Sequence, residues 1–174
     1  MDDHLQQLLD GLSSGDGLAR TRARETLVLV GDPAVPALRE LLGGPDKRLR
    51  WEAAKTLAAI VNSGNLEGFL TLLEDPDSDL RWLAATGLIQ LGPRAVRPAL
   101  QALTGPSLPR GRLEMSRRVL GELSSDNKVL AEILSPLMQV IGGNDPAVIN
   151  ARAARALADL DRAAGRPPDP VAAS

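Results

Sequence analysis

The sequence has no cysteine and no tyrosine, and only one phenylalanine, two tryptophans and one histidine among 174 residues. Without cysteine, disulfides, thiolate metal sites and cysteine nucleophiles are excluded together. The lone histidine, His4, stands in the acidic stretch MDDHLQQLLD. A multi-histidine metal site therefore cannot be assembled within the chain, and His4 reads as a surface histidine and not as the base of a Ser-His-Asp triad. Aromatic residues make up 2% of the sequence, so the core must come from Leu, Ala, Val and Ile, which fill closely packed helices. All-β folds, which favour aromatic and β-branched residues, do not fit this composition. No stretch reaches the eighteen or so continuous apolar residues of a membrane span. Two acids occupy the amino terminus where a secretory signal would carry basic residues, and the expectation is a soluble, cytoplasmic protein.

What is present is a composition able to bury a core. With 44% hydrophobic and 24% charged residues, a chain of this length buries roughly 70% of its unfolded surface and reads as one ordered domain over residues 1–162. The formal charge of −2 is unevenly spread. Residues 1–92 hold 9 basic and 14 acidic side chains, residues 93–125 hold 6 and 2, and residues 126–174 hold 5 and 6. The middle block is locally basic.

Internal repetition decides the fold class. Both tryptophans fall at the same point of one phrase, LRWEAAKTL from Leu49 and LRWLAATGL from Leu80. Aligned on it, Asp16, Asp46 and Asp77 each precede an Ala/Leu-Arg pair, an Ala and a Leu, the aligned leucines being Leu27, Leu57 and Leu88. In two weaker copies the aligned leucines are Leu120 and Leu157. Before each phrase lies a shorter apolar set of helical spacing, such as Val35, Leu38, Leu41 and Leu42, or Leu66, Phe69, Leu72 and Leu73. Between the two sets lie clusters such as GGPD, EDPDSD and GGNDP, where Gly can end one helix and Asp can cap the next. Each repeat is thus a helical hairpin, with pairs expected at 4–30, 34–61, 65–91, 94–124 and 127–162.

Hairpins of this size bury their apolar faces only by stacking, which predicts an all-α, right-handed α-solenoid of about five pairs. The phrase D-x-x-L-R-W-x-A-A-x-x-L is similar to the HEAT-like repeat, particularly the short bacterial form also found in phycobilisome bilin lyases. The resemblance runs over roughly residues 4–162 and is strongest in the second and third repeats. It implies an armadillo/HEAT-like superhelix whose second helices line a concave surface.

Three places depart from the pattern. The fourth repeat has Arg112-Leu113 where Leu-Arg is expected, after the long, breaker-rich loop TGPSLPRG, so its second helix is expected to be displaced. Pro136 falls inside the first helix of the fifth repeat and predicts a kink or two shorter helices. The Pro-rich stretch over 163–174 reads as a disordered tail.

On a helical wheel Trp51 and Trp82 lie well round from the buried stripe, and the second helices would project them from the concave face. They read either as covers over the seam between repeats or as anchors for a partner. Arg50 and Arg81, with Arg20, sit near the Asp that opens each second helix and invite an ion-pair ladder between repeats. Arg24 and Lys55, further round, are expected to be freer to meet a ligand.

The functional expectation is a non-enzymatic binding module, adaptor or regulatory subunit holding another protein or peptide in the concave groove. Its expected contact residues are Trp51, Trp82, Arg24, Lys55, Arg50 and Arg81. No cofactor, metal or membrane contact is expected, and the sequence leaves the oligomeric state open. GGPDK lacks the spacing of a phosphate loop. The repeat resemblance also implies two other roles, a bilin-lyase-like subunit and a HEAT-like DNA glycosylase. Arg110, Arg112, Arg117 and Arg118 echo the latter, but a net −5 over the first three repeats and a pI near 5.5 argue against nucleic acid.

Overall fold

A computed structural model describes residues 3–60 and 65–165. Among these residues the chain is all-α, with ten helices and no strand, consistent with an α-solenoid. It separates into two compact units, Met1–Leu91 and Gly92–Ser174.

In the first unit α1 (Asp3–Leu12) pairs with α2 (Gly17–Val30), α3 (Val35–Leu42) with α4 (Lys47–Ala59), and α5 (Leu66–Leu72) with α6 (Ser78–Gln90). The second helices form a row, since α4 packs against both α2 and α6, and α3 neighbours α5. Each second helix starts where the sequence puts an aspartate. Asp16 accepts from the Leu18 N–H at 2.9 Å, Asp46 from Arg48 and Leu49 at 2.8 and 3.3 Å, and Asp77 from Asp79 and Leu80 at 3.0 and 3.2 Å. These bonds satisfy amide groups that the helix itself leaves unpaired. After α2 and α6 the chain turns at Gly31 and Gly92, whose positive φ of 69° and 66° a side chain would strain. Short 3-10 turns at Asp32–Ala34 and Gly92–Ala95 then lead into the next first helix.

The aligned leucines Leu27, Leu57 and Leu88 are fully buried, as are Leu12, Leu38 and Leu73 from or beside the first helices. Phe69 fills the third hairpin, and its ring reaches the backbone of Gly87 on α6. Asn65, buried, donates through its amide nitrogen to the carbonyls of Leu57 and Ile60 at 2.8 and 2.6 Å. It thereby satisfies carbonyl groups at the carboxyl end of α4, a role the repeat pattern did not reveal.

The second unit contains α7 (Val96–Ala102), α8 (Arg110–Ser124), α9 (Lys128–Met138) and α10 (Pro146–Ala163). Its hairpins form as expected, α7 on α8 and α9 on α10, but they combine differently from those of the first unit. Here α9 packs on α8 and α10 on α7, so the first helix of the last hairpin lies beside the second helix of the one before. Arg97 of α7 and the buried Asp161 of α10 form an ion pair, and Asn150 of α10 donates to the Gly105 carbonyl at 3.2 Å. The shift begins where the sequence breaks pattern. The helix α8 begins at Arg110, eight residues after α7 ends, and Pro109 before it provides no side-chain cap.

Pro136 does not divide its helix. The helix α9 runs unbroken past it and stops at Met138, so the missing N–H and the ring fall in the last turn, where the helix is already ending. No second helix follows before α10, and Val140 and Ile141 lie beyond the end of α9. Of the expected tail, Ala163 still belongs to α10, and residues 166–174 lie outside the described residues.

Candidate interaction face

The α4 helix places Arg48, Trp51 and Lys55 at spacings of three and four, hence on one stripe. Trp51 is half-buried, and the Lys55 ammonium lies 5.9 Å from the centre of its ring, within cation–π range. On α6, Trp82 takes the position equivalent to Trp51, five residues after the capping aspartate, and is 52% exposed. That exposure matters, because an indole serving only as core would be covered. Its own carbonyl accepts from the Thr86 hydroxyl at 3.0 Å.

The arginines are committed to the framework more fully than the sequence suggested. Each one at the fourth position after a capping Asp reaches back to two carbonyls of the loop it has just left. Arg20 donates to Ser14 and Gly15, Arg50 to Gly44 and Pro45, and Arg81 to Asp75 and Pro76, at 2.8–3.1 Å. Two of them also cross to the next repeat. Arg50 spans both carboxylate oxygens of Asp75, at 3.0 and 3.4 Å. Arg20 meets Glu52 at 3.3 Å, and Arg24 holds the other oxygen of Glu52 at 2.7 Å. The ladder that these arginines make between repeats therefore uses Glu52 and Asp75 and not the capping aspartates, which accept from helix amides.

Arg24 is accordingly not the freer guide that was expected, since Glu52, itself buried, fixes its guanidinium. Lys55 keeps its aromatic contact, and of the six expected contact residues it joins Trp51 and Trp82 on the open side of the row. The sequence reading missed Glu52. The signal was there, because Glu52 is the acid inside LRWEAAKTL at the point where LRWLAATGL has Leu83.

Lys47, at the start of α4, pairs with Asp77 at the start of α6. The Lys47 hydrogen bond, aided by the Leu80 and Asp79 amides, holds the Asp77 carboxyl below its ordinary range, and Asp77 in turn raises Lys47.

Residues 5–67 match the HEAT repeats family.

The matched segment covers the first two hairpins and the start of α5, so it contains Trp51, Lys55 and the Glu52 ion-pair cluster, while Trp82 lies beyond it. An engineered protein whose crystal structure comes from the Northeast Structural Genomics Consortium is 24% identical, with 92% of this chain and 80% of that chain covered and a TM-score of 0.46. No curated protein matches the chain, and the likeness to bilin lyases stays with the repeat phrase alone.

Other surfaces of the two units differ in character. In the first, a cleft of about 490 Å³ opens between the first helices α3 and α5, floored by Gly68 and crossed by the Arg39–Glu67 pair at 2.8 Å. In the second, an apolar cleft of about 460 Å³ is walled by Val96, Leu130, Ile133 and Leu160. Two arginines of the basic fourth repeat are placed differently from Arg112. Arg112 donates to the carbonyls of Ala102 and Ser107 at 3.0 and 3.3 Å, and burial pulls its pKa down. Arg110 and Arg117 line a smaller cleft of about 290 Å³ with Glu114 between them. Among the described residues no group of three or more His, Cys, Asp or Glu side chains could hold a metal ion, and no helix is long and apolar enough to cross a membrane.

Proposed function

We propose that the chain is a protein-binding scaffold, used as an adaptor or regulatory subunit, and that the row formed by α2, α4 and α6 receives the partner. The observation that carries this reading is the pair of tryptophans at equivalent positions on adjacent packed helices, one of them half exposed to solvent. A large indole left open on a regular helix row offers apolar area at little entropic cost, and such residues carry a disproportionate share of interface energy. The arginines Arg24, Arg50 and Arg81, held by carboxylates and loop carbonyls, form a fixed polar border, while Lys55 and the indoles make the contact. The row would receive an extended or helical peptide.

Site-specific photo-crosslinking tests this directly. A photoreactive residue replacing Thr86 on α6 should capture a partner from a native lysate, and the same group replacing Thr71 on α5 should not. Equal capture from both positions, or capture from Thr71 alone, contradicts the assignment of the face.

A further inference from the structure

The chemistry of the partner can be read from how charge is distributed in the first unit, an inference that rests on the face proposed above. That unit is acidic as a whole, with nine basic and fourteen acidic side chains. The charges are nevertheless sorted by helix row. The helices α2, α4 and α6 hold eight of the nine basic residues and three of the fourteen acids, a net of +5, while everything else in the unit sums to −10.

Helix electrostatics do not require this arrangement. Acids stabilise the first turn of a helix and bases the last, yet α2 and α4 have no acid in the first turn and no base in the last. Part of the excess is used in the ladder, where Glu52 and Asp75 answer Arg20, Arg24 and Arg50. What remains on α4 lies on its open stripe, where Lys55 and the exposed Arg48, which also donates to the Ser13 carbonyl at 3.1 Å, flank Trp51 and no acid intervenes. Apolar exposure is concentrated in the same row. Leu18 and Leu29 on α2 and Trp82 on α6 are among the most exposed large hydrophobic side chains of the protein.

We propose that the α2, α4 and α6 row binds an acidic amphipathic peptide segment of a partner protein, with its apolar side chains against the indoles and its carboxylates against Arg48 and Lys55. Cations beside apolar anchors match such a segment in both charge and hydrophobicity. A long nucleic acid fits less well. Phosphate binding draws on many uncommitted cations, and here most of the guanidinium groups in the row are tied to carbonyls and carboxylates. Exposed leucines add nothing to phosphate recognition, and the net −10 around the row repels a polyanion that extends beyond it. A short peptide stays within the basic row.

Selection from a displayed random peptide library on the full chain tests the proposal, with parallel selections on a Trp51→Ala/Trp82→Ala variant and an Arg48→Glu/Lys55→Glu variant. The parent should enrich peptides of net negative charge containing Leu, Ile or Phe. A synthetic copy of the best one should bind about tenfold more weakly when ionic strength rises from low to moderate, as screening of surface charge requires. The charge-reversal variant should lose the acidic preference. Enrichment of neutral or basic peptides, enrichment of none, or tighter binding of a labelled DNA duplex than of the best peptide overturns the proposal. Uncharged peptides that bind the parent but not the tryptophan variant would remove the acidic partner and leave the tryptophan face intact. Acidic peptides that bind the tryptophan variant as well as the parent would remove the face itself, and the proposal with it.

Discussion

Phe69 and Gly87 meet so closely that a β-carbon on Gly87 would lie 2.6 Å from the end of the phenyl ring. The second repeat has Thr56 at the position of Gly87, so the third hairpin exchanges a side chain on its second helix for a phenyl ring from its first. Gly87→Ala would gain helix propensity but must displace a fully enclosed ring. Overpacking of this kind costs about 1–3 kcal/mol, more than the roughly 1 kcal/mol that Ala gains over Gly in a helix. Urea denaturation should show Gly87→Ala less stable than the parent, and Phe69→Leu in the same chain should recover part of the loss. A Gly87→Ala variant more stable than the parent would show that the ring moves freely.

Leu57 and Leu88 hold the same place in consecutive repeats and are both fully buried. Replacing either with Ala removes apolar contact and leaves a cavity in a well-packed interior, at a cost of about 2–5 kcal/mol. The midpoint of thermal or urea unfolding measures it. Parental stability in both variants would contradict the shared core.

Glu52 answers Arg20 and Arg24 together, and its loss leaves two part-buried guanidinium groups without their carboxylate. Glu52→Ala should destabilise the protein by about 1–3 kcal/mol, the penalty for stranding a charged hydrogen-bonding group. Glu25→Ala, on the exposed side of α2, should change stability by less than about 0.5 kcal/mol. Equal effects in the two variants would show that the ladder contributes nothing.

Lys47 and Asp77 predict a pH dependence with a definite sign. The Asp77 carboxyl is depressed in the folded state, so its contribution is present above the ordinary carboxylate range and lost as pH falls through the folded value. Lys47 is raised, so its contribution is present below the ordinary lysine range and lost as pH rises through the folded value. The difference in melting temperature between the parent and Lys47→Met should be small, present at neutral pH, and absent in strong acid and strong alkali. A difference that persists unchanged in acid would rule out the pair as its source.

Local structure was legible in the sequence because its causes are local. The aspartate caps, the leucine spacing and the Gly-Pro punctuation each act within one hairpin, and α2, α4 and α6 follow the repeated phrase closely. The pairing of α10 with α7 was not legible, since it depends on which apolar faces meet after the chain has folded back. The exchange of Leu-Arg for Arg112-Leu113 and the long loop before it marked where regularity ends but not what replaces it. The site was legible in part. Repetition singled out Trp51 and Trp82, but the fixing of Arg24 by Glu52 depends on a neighbour 28 residues away, and the sorting of charge by helix row is hidden in a net value that averages both rows.

The most direct test of the tryptophan face is capture of partners by the Trp51→Ala/Trp82→Ala variant, with its melting temperature recorded on the same preparation. Truncating two interface anchors should remove about 2 kcal/mol or more of binding energy each, while an exposed and a half-buried indole contribute little to the packed interior. The predicted result is a variant that melts within a few degrees of the parent and no longer retains the main partner. A variant that unfolds would make the tryptophans part of the packing between repeats, and one that stays folded and still retains the partner would place the binding face elsewhere.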